Sequence, residues 1–140
     1  MNTNKKTGAV VEKNVILSTL WIFVTLNYLY CDVLTLMDPA ELKQLITGTV
    51  GTIEMNAEFL LAAAVLMEIP MAMVLLSRVL KYSANRWANI IAGAIMTVVQ
   101  CMSLFVGSGP TSYYLFFSAI EIMCTAFIVW YAWKWANPET

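Results

Sequence analysis

Four apolar runs of membrane-crossing length constrain this chain more than anything else in it. They lie at about Asn14 to Met37, Ile53 to Leu80, Trp87 to Val106 and Ser112 to Trp135. A hydrocarbon layer of about 30 Å takes about 20 helical residues to cross. Open strands would leave edge amides unsatisfied in lipid, so each run is predicted to be a helix. The expected fold is all-α: a four-transmembrane-helix antiparallel bundle, residues 1–140 forming a single integral membrane domain. Composition agrees, since the 140 residues are 60% apolar and only 12% charged, with mean hydropathy +0.71. A soluble domain carries about a quarter charged residues.

The links between the runs have the chemistry of helix ends. Asp38-Pro39-Ala40-Glu41 sets a capping acid, a first-turn proline and a third-position glutamate in order, which predicts a short outer interfacial helix through about Ile46. Gly48 and Gly51 are expected to end it. Lys81 to Asn85 and Gly107-Ser108-Gly109-Pro110 read as tight turns. No linker, low-complexity tract or soluble domain is visible. The first run is too long for a signal peptide, contains Asp32 and lacks an A-x-A cleavage pattern, so it is expected to be retained.

Basic residues set the orientation, because Lys and Arg stay on the cytoplasmic side. Lys5, Lys6 and Lys13 precede the first span, and Arg78, Lys81 and Arg86 join the second to the third. The other two connections hold Lys43 and no basic residue, which predicts cytoplasmic N- and C-termini. Trp87, Trp130, Trp133 and Trp135 would mark the cytoplasmic belt and Tyr113 and Tyr114 the far one.

What is missing from the chain narrows its chemistry. There is no histidine, and the formal charge is −1. Imidazole-based zinc, haem and Ser-His-Asp sites are therefore excluded, and nucleic-acid binding lacks its basic surplus. Cys31, Cys101 and Cys124 are odd in number and sit in apolar runs, so they read as packing residues and show no disulfide framework. No cofactor is expected, and an enzyme is the weakest class, since no nucleophile or phosphate loop is evident.

Polar residues within the runs recur at steps of three and four, the spacing of one helix face. The first run gives Ser18, Trp21, Thr25, Tyr28, Asp32 and Thr35; the second gives Glu54, Glu58, Leu61, Val65, Glu68 and Ala72. The third gives Asn89, Gly93, Met96, Gln100, Ser103 and Gly107; the fourth gives Thr111, Tyr114, Ser118, Glu121 and Thr125. Turning all four faces inward predicts a partly polar interior. By helical rise, Asp32 and Glu58 lie roughly 8 Å from the outer end, Gln100 roughly 10 Å and Glu121 roughly 14 Å. Glu68 sits deeper, two residues before Pro70, which should bend its helix and free an acceptor.

The only Lys and Arg inside the runs, Arg78 and Lys134, stand at their cytoplasmic ends, so none lies at depth to neutralise these acids. Three readings follow. The preferred one is a proton- or cation-coupled transporter or binding protein, with Asp32, Glu58, Glu68 and Glu121 carrying charge and Gln100, Tyr28 and Ser118 orienting them. A flat organic cation would stack on Trp21 or Tyr28. A second reading is a dry polar network that only fixes helix register in a structural or accessory subunit. A third buries Gly93, Gly107, Ala57 and Ala62 to Ala64 against another chain; a homodimer would double the site. The expected partners are the lipid bilayer, a cation or proton, and a second copy of the chain.

Five segments carry a family likeness: Leu29-Tyr30-Cys31-Asp32, Leu36-Met37-Asp38-Pro39, Met67 to Arg78, Asn85 to Ile90, and Trp130 to Trp135. Together they resemble a family of small four-helix bacterial membrane proteins catalogued as a domain of unknown function. The likeness covers nearly all of the chain beyond the first dozen residues. It implies a bacterial inner-membrane bundle and no particular activity.

Overall fold

The computed structural model of the protein describes residues 2–51, 53–106 and 109–135. Gly107 and Ser108, expected to close the third run and open the last turn, lie outside the described residues. Five helices account for nearly all of the rest: α1 (Asn2–Met37), α2 (Pro39–Ile46), α3 (Ala57–Val79), α4 (Tyr82–Ser103) and α5 (Ser112–Trp133). Two two-residue strands, β1 (Thr49–Val50) and β2 (Ile53–Glu54), pair antiparallel between α2 and α3, with Thr49 opposite Glu54 and Val50 opposite Ile53.

The helix starts follow from local capping. Asp38 accepts from the Ala40 amide at 2.9 Å and Pro39 occupies the first turn, which starts α2. Gly48 takes the left-handed conformation (φ 78°) just past the helix end, where glycine has no Cβ to clash. Asn56 caps α3 through the Phe59 amide at 2.8 Å, so α3 starts at Ala57 and Ile53 belongs to the hairpin. The turn expected at Lys81 to Asn85 shrinks to Leu80 and Lys81, because α4 already begins at Tyr82. Asn85 is thereby a buried helical residue.

The long helices form a ring in the order α1, α3, α4, α5, each packed on its two neighbours. Leu17, Trp21, Val24 and Tyr28 of α1, Met73 of α3, Ala92 and Met96 of α4, and Cys124 and Ile128 of α5 build one core. Gly93 lets α4 approach α5 closely: a Cβ there would lie 2.7 Å from Val129 Cγ2 and 3.3 Å from the Thr125 carbonyl. Outward faces are apolar, as at Leu29, Val65, Leu75, Ile91, Val98 and Met123.

Three helical segments, Glu12–Met37, Ala57–Val79 and Ser112–Trp133, are long and apolar enough to cross a membrane. At 22 residues α4 has the length too, but Asn85, Asn89 and Gln100 on its buried side lower its apolar content.

One helix is rotated relative to expectation. On α3 the face with Glu58, Leu61, Val65 and Glu68 points away from the bundle, and Pro70, Met73 and Ser77 are the buried residues. Apolar residues surround α3 on all sides, so its acids gave the only visible phase, and packing chose the opposite face. Glu68 and Pro70, about 200° apart around the helix, therefore do not share a position. Trp135 also departs from the expected belt: it is 2% exposed, with its ring edge-on to Tyr82 at 5.1 Å.

Candidate functional site

Polar side chains collect at two levels inside the ring. At the level of the Leu80–Lys81 turn they form a saturated network. The Trp21 indole donates to Asn89 Oδ1 at 2.7 Å, and Ser77 Oγ donates to the same oxygen at 3.2 Å. Asn89 Nδ2 donates to Asn85 Oδ1 at 2.7 Å, while Asn85 Nδ2 reaches the Ser77 carbonyl at 2.6 Å and Asn14 Oδ1 at 3.1 Å. Ser18 donates to the Val74 carbonyl at 2.8 Å and accepts from Arg78 Nε at 3.0 Å. This cluster ties α1, α3 and α4 together. Paired donors and acceptors make it a lock on helix register.

The second level lies toward α2 and has open valences. On α5, steps of three and four bring Ser118, Glu121 and Thr125 to the inner face, all 1% exposed or less. Gln100 of α4 donates to Ser118 Oγ at 2.8 Å, Ser103 donates to the Gln100 carbonyl at 2.7 Å, and the Tyr114 hydroxyl donates to Ser103 Oγ at 2.7 Å. Thr97 donates to Thr125 Oγ1 at 2.7 Å and Thr125 to the Glu121 carbonyl at 2.9 Å. Two buried side-chain atoms at this level have no hydrogen-bond partner: Glu121 Oε1 and the Tyr28 hydroxyl. Tyr28, Cys31, Asp32 and Tyr114 all lie within electrostatic range of the Glu121 carboxyl.

Beside this level is a half-open cavity of about 710 Å³ bounded by the α2 ends of all four long helices and flanked by α2, the hairpin and Pro110. Asp32, Thr35, Glu41, Ser103, Thr111 and Tyr114 are among its polar lining, and Phe59, Leu66 and Met102 among its apolar lining. Asp32 is exposed along α1 and is among the residues that border this space. Among the described residues, no three Cys, Asp or Glu side chains stand close enough to hold a metal ion.

The structure thus divides the residues singled out from sequence. Tyr28, Asp32, Gln100, Ser118 and Glu121 gather at the α2 end of the bundle. Glu58 and Glu68 do not join them; Glu58 borders a separate groove on the outer side of α3 with Leu61, Ala62, Val65 and Ile69, and Glu68 is exposed. Trp21 is fully buried and Tyr28 6% exposed, so neither ring offers a stacking face. The aromatic rings that do border the cavity, Phe59, Tyr113 and Tyr114, were not picked out as site residues. Ser103 and Tyr114 carried a signal in their helical spacing, whereas Phe59 is one apolar residue among many.

Residues 9–140 match the family model for DUF6326, a family of unknown function. The chain belongs to this family. Neither a curated protein nor a solved structure matches it. DUF6326 membership covers every residue of both polar levels and of the cavity, so the site is part of the family's matched region and not an appendage to it.

Proposed function

We propose that this DUF6326 protein is a four-span bacterial inner-membrane protein that binds a cation or proton through Asp32 and Glu121, in the manner of a proton- or cation-coupled transporter or binding protein. The observation that carries this reading is Glu121: 1% exposed, with Oε1 unpartnered, and with the Asp32 carboxylate acting on it. A charge buried without a counter-charge costs several kcal/mol. Glu121 is buried beside a second carboxylate, and a proton or an entering cation would offset that charge.

Support for the fourth span comes from α4 itself. Its Asn85, Asn89 and Gln100 are buried, while Ile91, Ile95, Val98 and Met102 on the other side are exposed, as a lipid-facing surface requires. Arg78, Lys81, Arg86 and Lys134 lie at the end opposite α2, which favours cytoplasmic termini under the positive-inside rule.

The test is Glu121→Gln in purified protein. The infrared carbonyl band of a protonated buried carboxyl, followed from acid to alkaline pH, should shift or vanish on cation addition in the native chain and be missing from the variant, with thermal unfolding unchanged. A native band indifferent to both pH and cations would overturn the reading.

A second reading is favoured by one observation. Glu68 stands midway along α3, about 16 Å from either end, and faces out of the bundle. Lipid penalises a carboxyl at that depth. Covering by a second copy would shelter it, as expected of a structural subunit. Disulfide cross-linking of Val65→Cys in a background lacking the three native cysteines should then give dimers, and only monomers if the face meets lipid.

A further inference from the structure

The cavity at the α2 end has its own chemical signature. Its volume of about 710 Å³ is that of a site for a drug-sized molecule, well beyond what a proton or hydrated metal ion needs. Its lining includes two acids, Asp32 and Glu41, and no Lys or Arg. An anionic ligand would meet uncompensated repulsion there. Phe59, Tyr113 and Tyr114 border the space, and aromatic faces attract cations. Most of the remaining wall is apolar, from Ala62 and Ala63 to Val99 and Met102, so it rewards a ligand that brings apolar surface of its own.

We infer that the cavity binds an amphipathic organic monocation, its apolar body against α3 and α4 and its charge directed at Asp32. This rests on the cation reading above and names the substrate class for that site. Asp32 contributes through its position on the wall, within range of Glu121. The Tyr114–Ser103–Gln100–Ser118 chain links the wall to the buried level. A positive charge beside Asp32 would offset both carboxyls through space. The absence of a metal-ligand cluster among the described residues agrees with an organic cation in preference to an inorganic one.

The experiment is equilibrium dialysis of the full chain in phosphatidylcholine nanodiscs with tetraphenylphosphonium as the probe. Saturable binding near about one probe per chain is expected, with tetraphenylborate, the same shape with opposite charge, failing to compete. Tetramethylammonium, which lacks the apolar body, should bind about a hundredfold more weakly. Asp32→Asn should weaken phosphonium binding about tenfold or more, Asp32→Glu should retain it, and Ala63→Phe should remove it by filling the cavity. Circular dichroism and thermal unfolding of each variant verify folding, and if Asp32→Asn does not fold, the borate comparison and Ala63→Phe decide alone. Equal binding of borate and phosphonium, or binding that survives Ala63→Phe, would mean partition into lipid or an apolar surface and would overturn the inference. Binding of potassium or tetramethylammonium without phosphonium would overturn it and leave the cation reading standing. Loss of all cation binding, together with a pH-indifferent Glu121 carbonyl band, would overturn both.

Discussion

Glu121 and Asn89 sit in equally buried places, yet their surroundings differ in a way that separates function from support. The Asn89 amide makes four contacts, accepting from Trp21 and Ser77 and donating to both oxygens of Asn85, the backbone carbonyl and Oδ1. Replacing it with Leu leaves the Trp21 N–H and the Ser77 hydroxyl without that acceptor. Asn89→Leu should destabilise the protein by about 1–3 kcal/mol, measured by thermal or denaturant unfolding in detergent, without changing cation binding. Glu121→Gln is the converse case: a near-isosteric change at an unpartnered atom, which should alter the response to pH and cations while unfolding is little changed. Gly93 is constrained by space alone. Gly93→Ala puts a methyl against Val129 and the Thr125 carbonyl, and should cost about 1–3 kcal/mol through separation of α4 from α5, read by the same unfolding assay.

Among the elements, α2 is the clearest case of local sequence specifying local structure. Asp38, Pro39 and Glu41 announced its start, and the helix runs Pro39–Ile46 as expected. It also covers the cavity, through Glu41, while Gln44 Oε1 accepts from the Gly51 amide at 3.1 Å and so ties it to the hairpin turn. Asp38→Ala should lower α2 stability by about 1 kcal/mol. Hydrogen exchange of residues 40–46 would then rise selectively, and any organic cation should dissociate faster while the four long helices keep their protection. The long helices were less evenly legible. On α4 and α5 a polar face lies opposite an apolar one, and the polar face is the buried one in both. On α3 the acids were the conspicuous residues and the buried ones were Pro70, Met73 and Ser77, so the helical spacing identified a face and mistook its direction.

At the scale of the molecule, the proposed topology has a direct consequence. Reporter fusions at the N- and C-termini should both be active only as cytoplasmic reporters, and an insertion at Gly48 only as a periplasmic one; opposite activity at the two termini would exclude an even number of spans. Length, apolar runs and capping residues were enough to establish helices, their approximate limits and the short helix that follows α1, because these depend on hydrogen bonding and hydropathy within a few turns. The cavity and the separation of Glu58 and Glu68 from Asp32 and Glu121 depended on tertiary structure. They require the rotation of each helix about its own axis, and a helix apolar on every side has no rotational preference until its neighbours supply one.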